Sequence, residues 1–224
     1  MTNATGQPSG GTATVIAIDG PAGAGKSTVG RAVAARLNVG YLDTGAMYRA
    51  VTFAVLRRGV DPSDVDAVGA VSRTIDLDIR DVDGGAVVVV DGEDATIDIR
   101  GREVTGSVSA VAANSVVRAE LVRRQRAWID THGGGVVEGR DIGSVVFPDA
   151  DLKLFVTASA RRRAERRVAE IGGDVDEVEA SIIERDRKDS SRADSPLVEA
   201  SGATIVDTTG MTITEVVDHV LEML

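Results

Sequence analysis

The residues Gly20-Pro21-Ala22-Gly23-Ala24-Gly25-Lys26-Ser27 leave few folds open to this chain. They follow a short β-branched apolar run, Ala13 to Ile18, and lead directly into a helical pattern from Ser27 to Leu37. Strand, glycine turn and helix in that order open a phosphate-binding α/β unit, and the spacing fits G-x-x-x-x-G-K-[ST] without a gap. Glycines let successive backbone N–H groups turn inward on phosphate oxygens, and the helix start adds its positive end. Gly20, Pro21, Ala22, Gly23, Ala24, Gly25, Lys26, Ser27 and Thr28 are therefore the expected nucleoside triphosphate contacts. Lys26 is placed for the β and γ phosphates and the Ser27 hydroxyl for a Mg²⁺ shell. Thr28 offers a second hydroxyl.

The rest of the chain alternates strand and helix patterns, which predicts an α/β fold with a parallel sheet flanked by helices. Strands are expected at Val39 to Leu42, Val136 to Glu138, Leu152 to Ala158 and along "GATIVDT". Helices are expected over Thr44 to Arg58, Glu103 to Thr131 with a break near Asn114-Ser115, two charged segments flanking "EIGGDV", and Thr212 to Leu224. One stretch breaks the pattern. Thr74 to Arg100 alternates apolar and polar residues with period two, interrupted at Asp83-Gly84-Gly85 and Asp91-Gly92, as a small antiparallel sheet would. It reads as an insertion over about 61–102 within one domain over 13–224.

Composition removes several kinds of chemistry. The chain has 224 residues and no cysteine, which leaves out disulfides, thiolate zinc sites and cysteine nucleophiles. Its two histidines, His132 and His219, do not suggest a metal cluster. A net charge of −10 argues against a nucleic-acid partner. Yet all the basic residues except Lys26, Lys153 and Lys188 are arginines, whose planar fork matches phosphate. No apolar run approaches the ~18 residues of a membrane span. The first 12 residues, rich in small polar side chains, are expected to be a flexible leader without signal-peptide character, and the protein to be cytoplasmic.

Among proteins with such a loop, a GTPase needs a guanine-reading Asn-Lys-x-Asp, which is absent. Asp207-Thr208-Thr209-Gly210 has the look of a switch segment but lies too late in the chain. A motor or transporter ATPase needs more residues and a glutamine-bearing signature. A small kinase, with mobile segments closing over two substrates, fits.

"YLDTGAMYR", Tyr41 to Arg49, together with "IDGPAGAGKST" before it and "EGRDIGSVVFPDA" after it, resembles the bacterial cytidylate kinase family from Thr14 to the C-terminus. The resemblance implies a P-loop kinase fold with an inserted sheet in the monophosphate-binding region and a short lid over about 160–176. It implies transfer of a phosphoryl group from ATP, with Mg²⁺, to CMP or dCMP. It places Thr44 and Arg49 on the acceptor phosphate and Ser109 and Arg118 on cytosine. Arg140 and Asp141, just past a buried strand, suit a phosphate and the cytosine amino group, and the family pattern agrees. Val178, Ile182, Arg185, Asp189 and Arg192 form one helical stripe that turns from apolar to charged. The resemblance gives Arg185 and Asp189 to the ribose and phosphate region and Arg192 to the phosphates. Lys26, Arg140, Arg163 and Arg167 are the expected catalytic cations. Asp19 and Asp43 are weaker candidates for metal or proton contact. No general base stands out, as suits an acceptor that is already an ionised phosphate. A monomer is expected.

Overall fold

The computed structural model describes residues 14–82, 85–192 and 194–224. The expected leader lies outside these residues, as do Asp83 and Gly84 of the first hairpin turn. Five strands form a parallel sheet: β1 (Val15–Asp19), β2 (Tyr41–Asp43), β6 (Gly135–Glu138), β7 (Leu152–Thr157) and β8 (Thr204–Asp207). Their spatial order is β2-β6-β1-β7-β8, with β1 central. Alternate residues of β1 and β6 serve opposite faces. Ile16, Ile18 and Val136 pack with Val29 and Val33 of α1 (Lys26–Leu37) and with Val216, Val217 and Val220 of α8 (Ile213–Leu221). Ala17 and Val137 pack with Met47 and Val51 of α2 (Thr44–Arg57) and Leu121 of α5 (Ser115–His132). Each fully buried Val, Ile or Leu here contributes about 1.5–3 kcal/mol. None of the helices among the described residues is long and apolar enough to cross a membrane.

The inserted segment differs in part from its sequence pattern. It opens with an unforeseen helix, α3 (Val65–Thr74), capped by the Asp64 side chain and packed through Val68 and Val71. The antiparallel sheet is β3 (Leu77–Val82), β4 (Gly85–Val90) and β5 (Glu93–Asp94). The alternation continues through Ile97 and Ile99, but the strand does not. Ala95 donates its N–H to the Val88 carbonyl and the Thr96 hydroxyl accepts from the Val88 N–H, so no ladder remains for the residues beyond. A helical turn over Asp98–Arg100 follows.

The helix break is built by Asn114. It ends α4 (Arg102–Ala113) and caps α5, accepting from the N–H groups of Val116 and Val117 while donating to the Val65 carbonyl. A helical hairpin, α6 (Ala160–Ile171) and α7 (Val175–Ser190), turns at Gly172 and Gly173, both at positive φ. The last helix begins with a reciprocal Thr212–Glu215 capping box.

The carboxyl ends of β1, β2 and β6 lie side by side, with Ile18 opposite Glu138 and Asp43 opposite Glu138. They open a crevice of the kind that binds ligands in open α/β sheets. Gly20 starts the turn out of β1 at φ 145°, and an added Cβ would sit 1.9 Å from the Val156 carbonyl oxygen on β7. Gly20→Ala is expected to cost about 3 kcal/mol or more through backbone strain and overpacking. Urea unfolding measures it, and a loss within about 1 kcal/mol would contradict this packing.

Candidate active site

The loop from Gly20 to Ser27 wraps at the end of β1 with Gly20, Gly23 and Gly25 all at positive φ. Lys26 is buried and donates to the Pro21 carbonyl at 2.9 Å. Burial, then the nearby charge of Arg140, pushes its ammonium down to about 7. A triphosphate in the loop would restore the missing negative field. The Ser27 hydroxyl donates to Glu138 Oε1 at 2.6 Å, while Glu138 Oε2 is buried with no hydrogen-bond partner among the described residues. Burial and the neighbouring Asp43 carboxylate push Glu138 upward. Thr28 lies on the exposed side of the helix start.

Two arginines of α6 brace this loop from behind. Arg163 donates to Ala22 O at 3.0 Å and Ala158 O at 2.9 Å, and pairs with Asp186 at 2.6 Å. Arg163, expected to offer its fork to a transferring phosphoryl group, is here bonded to two carbonyls and one carboxylate. Arg166 reaches Ala24 O and Thr208 O, and the Thr208 hydroxyl also donates to Ala24 O. Asp19 is likewise engaged. Both of its oxygens accept backbone N–H groups, from Ile142 at 2.8 Å and Gly143 at 2.7 Å, which ties this weaker candidate for metal or proton contact to the β6 exit. Burial outweighs those two bonds and pushes its carboxyl up to about 6.

The remaining arginines converge. Arg140 donates to Asp189 Oδ2 at 3.0 Å, and Arg192 pairs with the other oxygen of the same buried carboxylate. Arg192 lies just beyond α7, which ends at Ser190, so the charged end of the stripe leaves the helix but keeps its direction. Arg185 is pushed down to about 10 by burial and then by Arg140 and Arg49, and its Nε is buried without a hydrogen-bond partner. Arg49 holds Ile99 O and the Thr105 hydroxyl, both at 3.0 Å, and is pushed down by burial and by Arg167. Arg49, Arg140, Arg185 and Arg192 thus share one region in which Asp189 pairs with Arg140 and Arg192, while Arg167, whose charge reaches Arg49, pairs with Glu170 at 3.3 Å. That excess of positive charge is what a dianionic phosphate neutralises. Thr44 lies at the edge of this region with its hydroxyl on Glu138 O at 2.6 Å. The cap of its helix is Asp43.

Beyond the arginines lies a buried polar pair, Arg118 and Asp141. Arg118 also faces Asp194 at 3.7 Å and the Tyr48 ring at 5.7 Å. Burial raises Asp141 against the pull of Arg118, and raises Tyr48 to about 12. Ser109 is half-buried on α4, on the other side of the Asn114 break from Arg118. Sequence reasoning missed Tyr48, Arg166, Asp186 and Asp194. Tyr48 stood inside the quoted motif beside Arg49. The others carry no local signal, since their partners are distant in the chain. Among the described residues no group of three or more His, Asp or Glu side chains is arranged to hold a metal by itself.

A protein-family model described as Cytidylate kinase matches residues 16–224. The chain is 50% identical over 214 residues to the cytidylate kinase of Corynebacterium efficiens, covering 93% of each. It is 47% identical over 215 residues to the cytidylate kinase of Mycobacterium avium, covering 94% of each. It is 53% identical over 215 residues to the bifunctional pantoate ligase/cytidylate kinase of Parasynechococcus marenigrum, but spans only 43% of that relative. Among solved structures it is similar to an uncharacterized protein from Eubacterium ventriosum, with a TM-score of 0.52 and 10% identity over 94% of this chain and 97% of that one. A gluconokinase from Sinorhizobium meliloti has a TM-score of 0.50 and 14% identity, over 94% of this chain and 91% of that one. At such identities these two share the fold alone.

The buried Asp19 generates a pH prediction. Its native carboxyl titrates near 6 against an ordinary value of 3.8. The unfolded chain therefore ionises first, and stability falls as pH rises from about 4 to about 6. Asp19→Asn removes this titration. The variant's unfolding free energy is expected to gain about 3 kcal/mol relative to the parent between pH 3.5 and 7. Parallel urea titrations at these pH values check it, and a pH-independent difference would refute it.

Proposed function

The chain belongs to the cytidylate kinase family, and from that premise we propose that it moves the γ-phosphoryl group of ATP onto CMP or dCMP, giving ADP and CDP or dCDP. The observation that carries this reading is the meeting of guanidinium groups from α2, α7 and the β6 exit around Asp189. The Arg118–Asp141 pair lies beyond them and the phosphate loop beside them.

Each part has a task. The loop N–H groups and Lys26 hold the β and γ phosphates of ATP. Mg²⁺ is the proposed cofactor. The Ser27 hydroxyl and the free Oε2 of Glu138 are hard oxygen donors, which suit that ion. When bound it would neutralise charge building between the β and γ phosphates. Thr44, Arg49 and Arg192 take the acceptor phosphate, with Arg140 between acceptor and donor. Arg185 and Asp189 adjoin the ribose, where a carboxylate accepts from a hydroxyl. Asp141 accepts from the cytosine amino group, and Arg118 and Ser109 donate to its acceptor edge.

Transfer passes through a loose state with charge spread over the equatorial oxygens. Lys26, Arg140 and Arg167 supply the cations for that charge. The attacking oxygen arrives ionised, so no residue has to take a proton from it. Arg163 and Arg166 act one step back, by keeping the carbonyls of the loop turned away from the phosphates.

An ADP-release assay with MgATP and a panel of acceptors tests the reading. Turnover is expected to be highest with CMP and dCMP and poor with UMP, AMP and shikimate. Equal or better use of AMP or shikimate would overturn the acceptor assignment. Asp141→Ala is expected to lower kcat/KM for CMP by about 100-fold and for UMP by less than about tenfold, because only cytosine loses a donor–acceptor pair.

A further inference from the structure

The segment Gly139–Gly143 hangs from the last two residues of β1. The Gly139 N–H donates to Ile18 O at 2.9 Å. The N–H groups of Ile142 and Gly143 donate to the two oxygens of Asp19 at 2.8 and 2.7 Å. Arg140 and Asp141 lie between these two points of attachment. Asp141 has an unusual backbone, φ −145° and ψ 24°. Its carbonyl accepts from Val145 and Val146 at the start of a wide helical turn over Ile142–Val146. The residue after Asp19 is Gly20, the first of the phosphate loop.

We propose that Asp19 is a positioning residue for acceptor recognition, fixing Arg140 and Asp141 to the strand that opens into the ATP loop. This rests on the reading of Arg140 and Asp141 as acceptor contacts given above. Two adjacent backbone N–H groups that converge on one point form a nest for an anion. A carboxylate fills it with two acceptors and no donor. Asparagine offers one acceptor and sets its NH₂ against the second N–H. Asp19 is 3% exposed, and its charge is costly there. A fold that needed only to fill the space could use an uncharged side chain. What the carboxylate adds is a rigid link across a gap of 123 residues. It joins the donor loop to the residues that select the acceptor.

Asp19→Asn in the full chain tests this, with CMP and UMP compared at saturating MgATP and KM for ATP measured alongside. One buried N–H left without its acceptor should lower kcat/KM for CMP by about tenfold. The preference for CMP over UMP should narrow by about fivefold, with KM for ATP within about threefold of the parent. A variant whose CMP and ATP constants shift together, with the preference intact, would show that Asp19 only supports the fold. Should the variant not fold, amide exchange in the unaltered enzyme decides. The Ile142 and Gly143 amides should exchange as slowly as those of β6, and exchange at loop rates overturns the link. Parent enzyme that ignores CMP overturns the functional reading. Parent enzyme that uses CMP while the variant keeps its selectivity overturns the role of Asp19 alone.

Discussion

Everything in the site is referred to the carboxyl end of β1. The Ile18 carbonyl and the Asp19 side chain hold the β6 exit, and the next residue begins the phosphate loop against the Val156 carbonyl. A loop alone could not keep these parts in register, because loops move at low energetic cost. A central strand hydrogen-bonded on both sides can. The donor and acceptor halves of the crevice are therefore built from one rigid post. Preorganisation of this kind is what phosphoryl transfer needs, since positioning and electrostatics supply most of its catalysis.

The electrostatics carry a cost that the fold accepts. Lys26 and Arg185 are both driven below their ordinary range by burial next to other cations, and Glu138 is driven up beside Asp43. No apolar core benefits from such an arrangement. Bound phosphates reverse the sign of the balance, so the destabilisation of the empty site becomes attraction for the filled one. Asp189 moderates the strain by taking one oxygen each to Arg140 and Arg192, and among the described residues Arg185 and Arg49 have no ion pair of their own. The same trade between stability and function is general in active sites.

How far the sequence disclosed this depended on distance along the chain. The phosphate loop was legible because its glycines, lysine and serine act within eight consecutive positions. The break at Asn114 was legible because a capping side chain acts within three residues. The parallel sheet followed from apolar runs alternating with helical patterns. α3 was hidden because Val65 to Thr74 carries only a short apolar stripe beside a much stronger period-two signal. That same signal overran its strand, since it cannot report where the neighbouring strand's free N–H groups stop. The arginines were least legible. "ARRRAERR" gives no reason to separate Arg163 and Arg166, which brace loop carbonyls, from Arg161, which pairs with Asp176 and Glu179 on the surface. Only partners more than a hundred residues away distinguish them.

That division among arginines bears on how the phosphate loop is joined to the rest of the site. α6 is tied to the phosphate loop through Arg163 and Arg166, and to α7 through Arg163–Asp186 and Arg161–Glu179. α7 in turn carries Arg185 and Asp189 into the cluster of arginines. Arg163 links the loop at Ala22 to Asp186, one residue from Arg185 and three from Asp189. The helical hairpin is thus joined to the phosphate loop at one end of this chain of contacts and carries Arg185 and Asp189 at the other. The connection from Ala22 to Asp189 runs through one hydrogen bond to a loop carbonyl, one ion pair and less than one turn of α7.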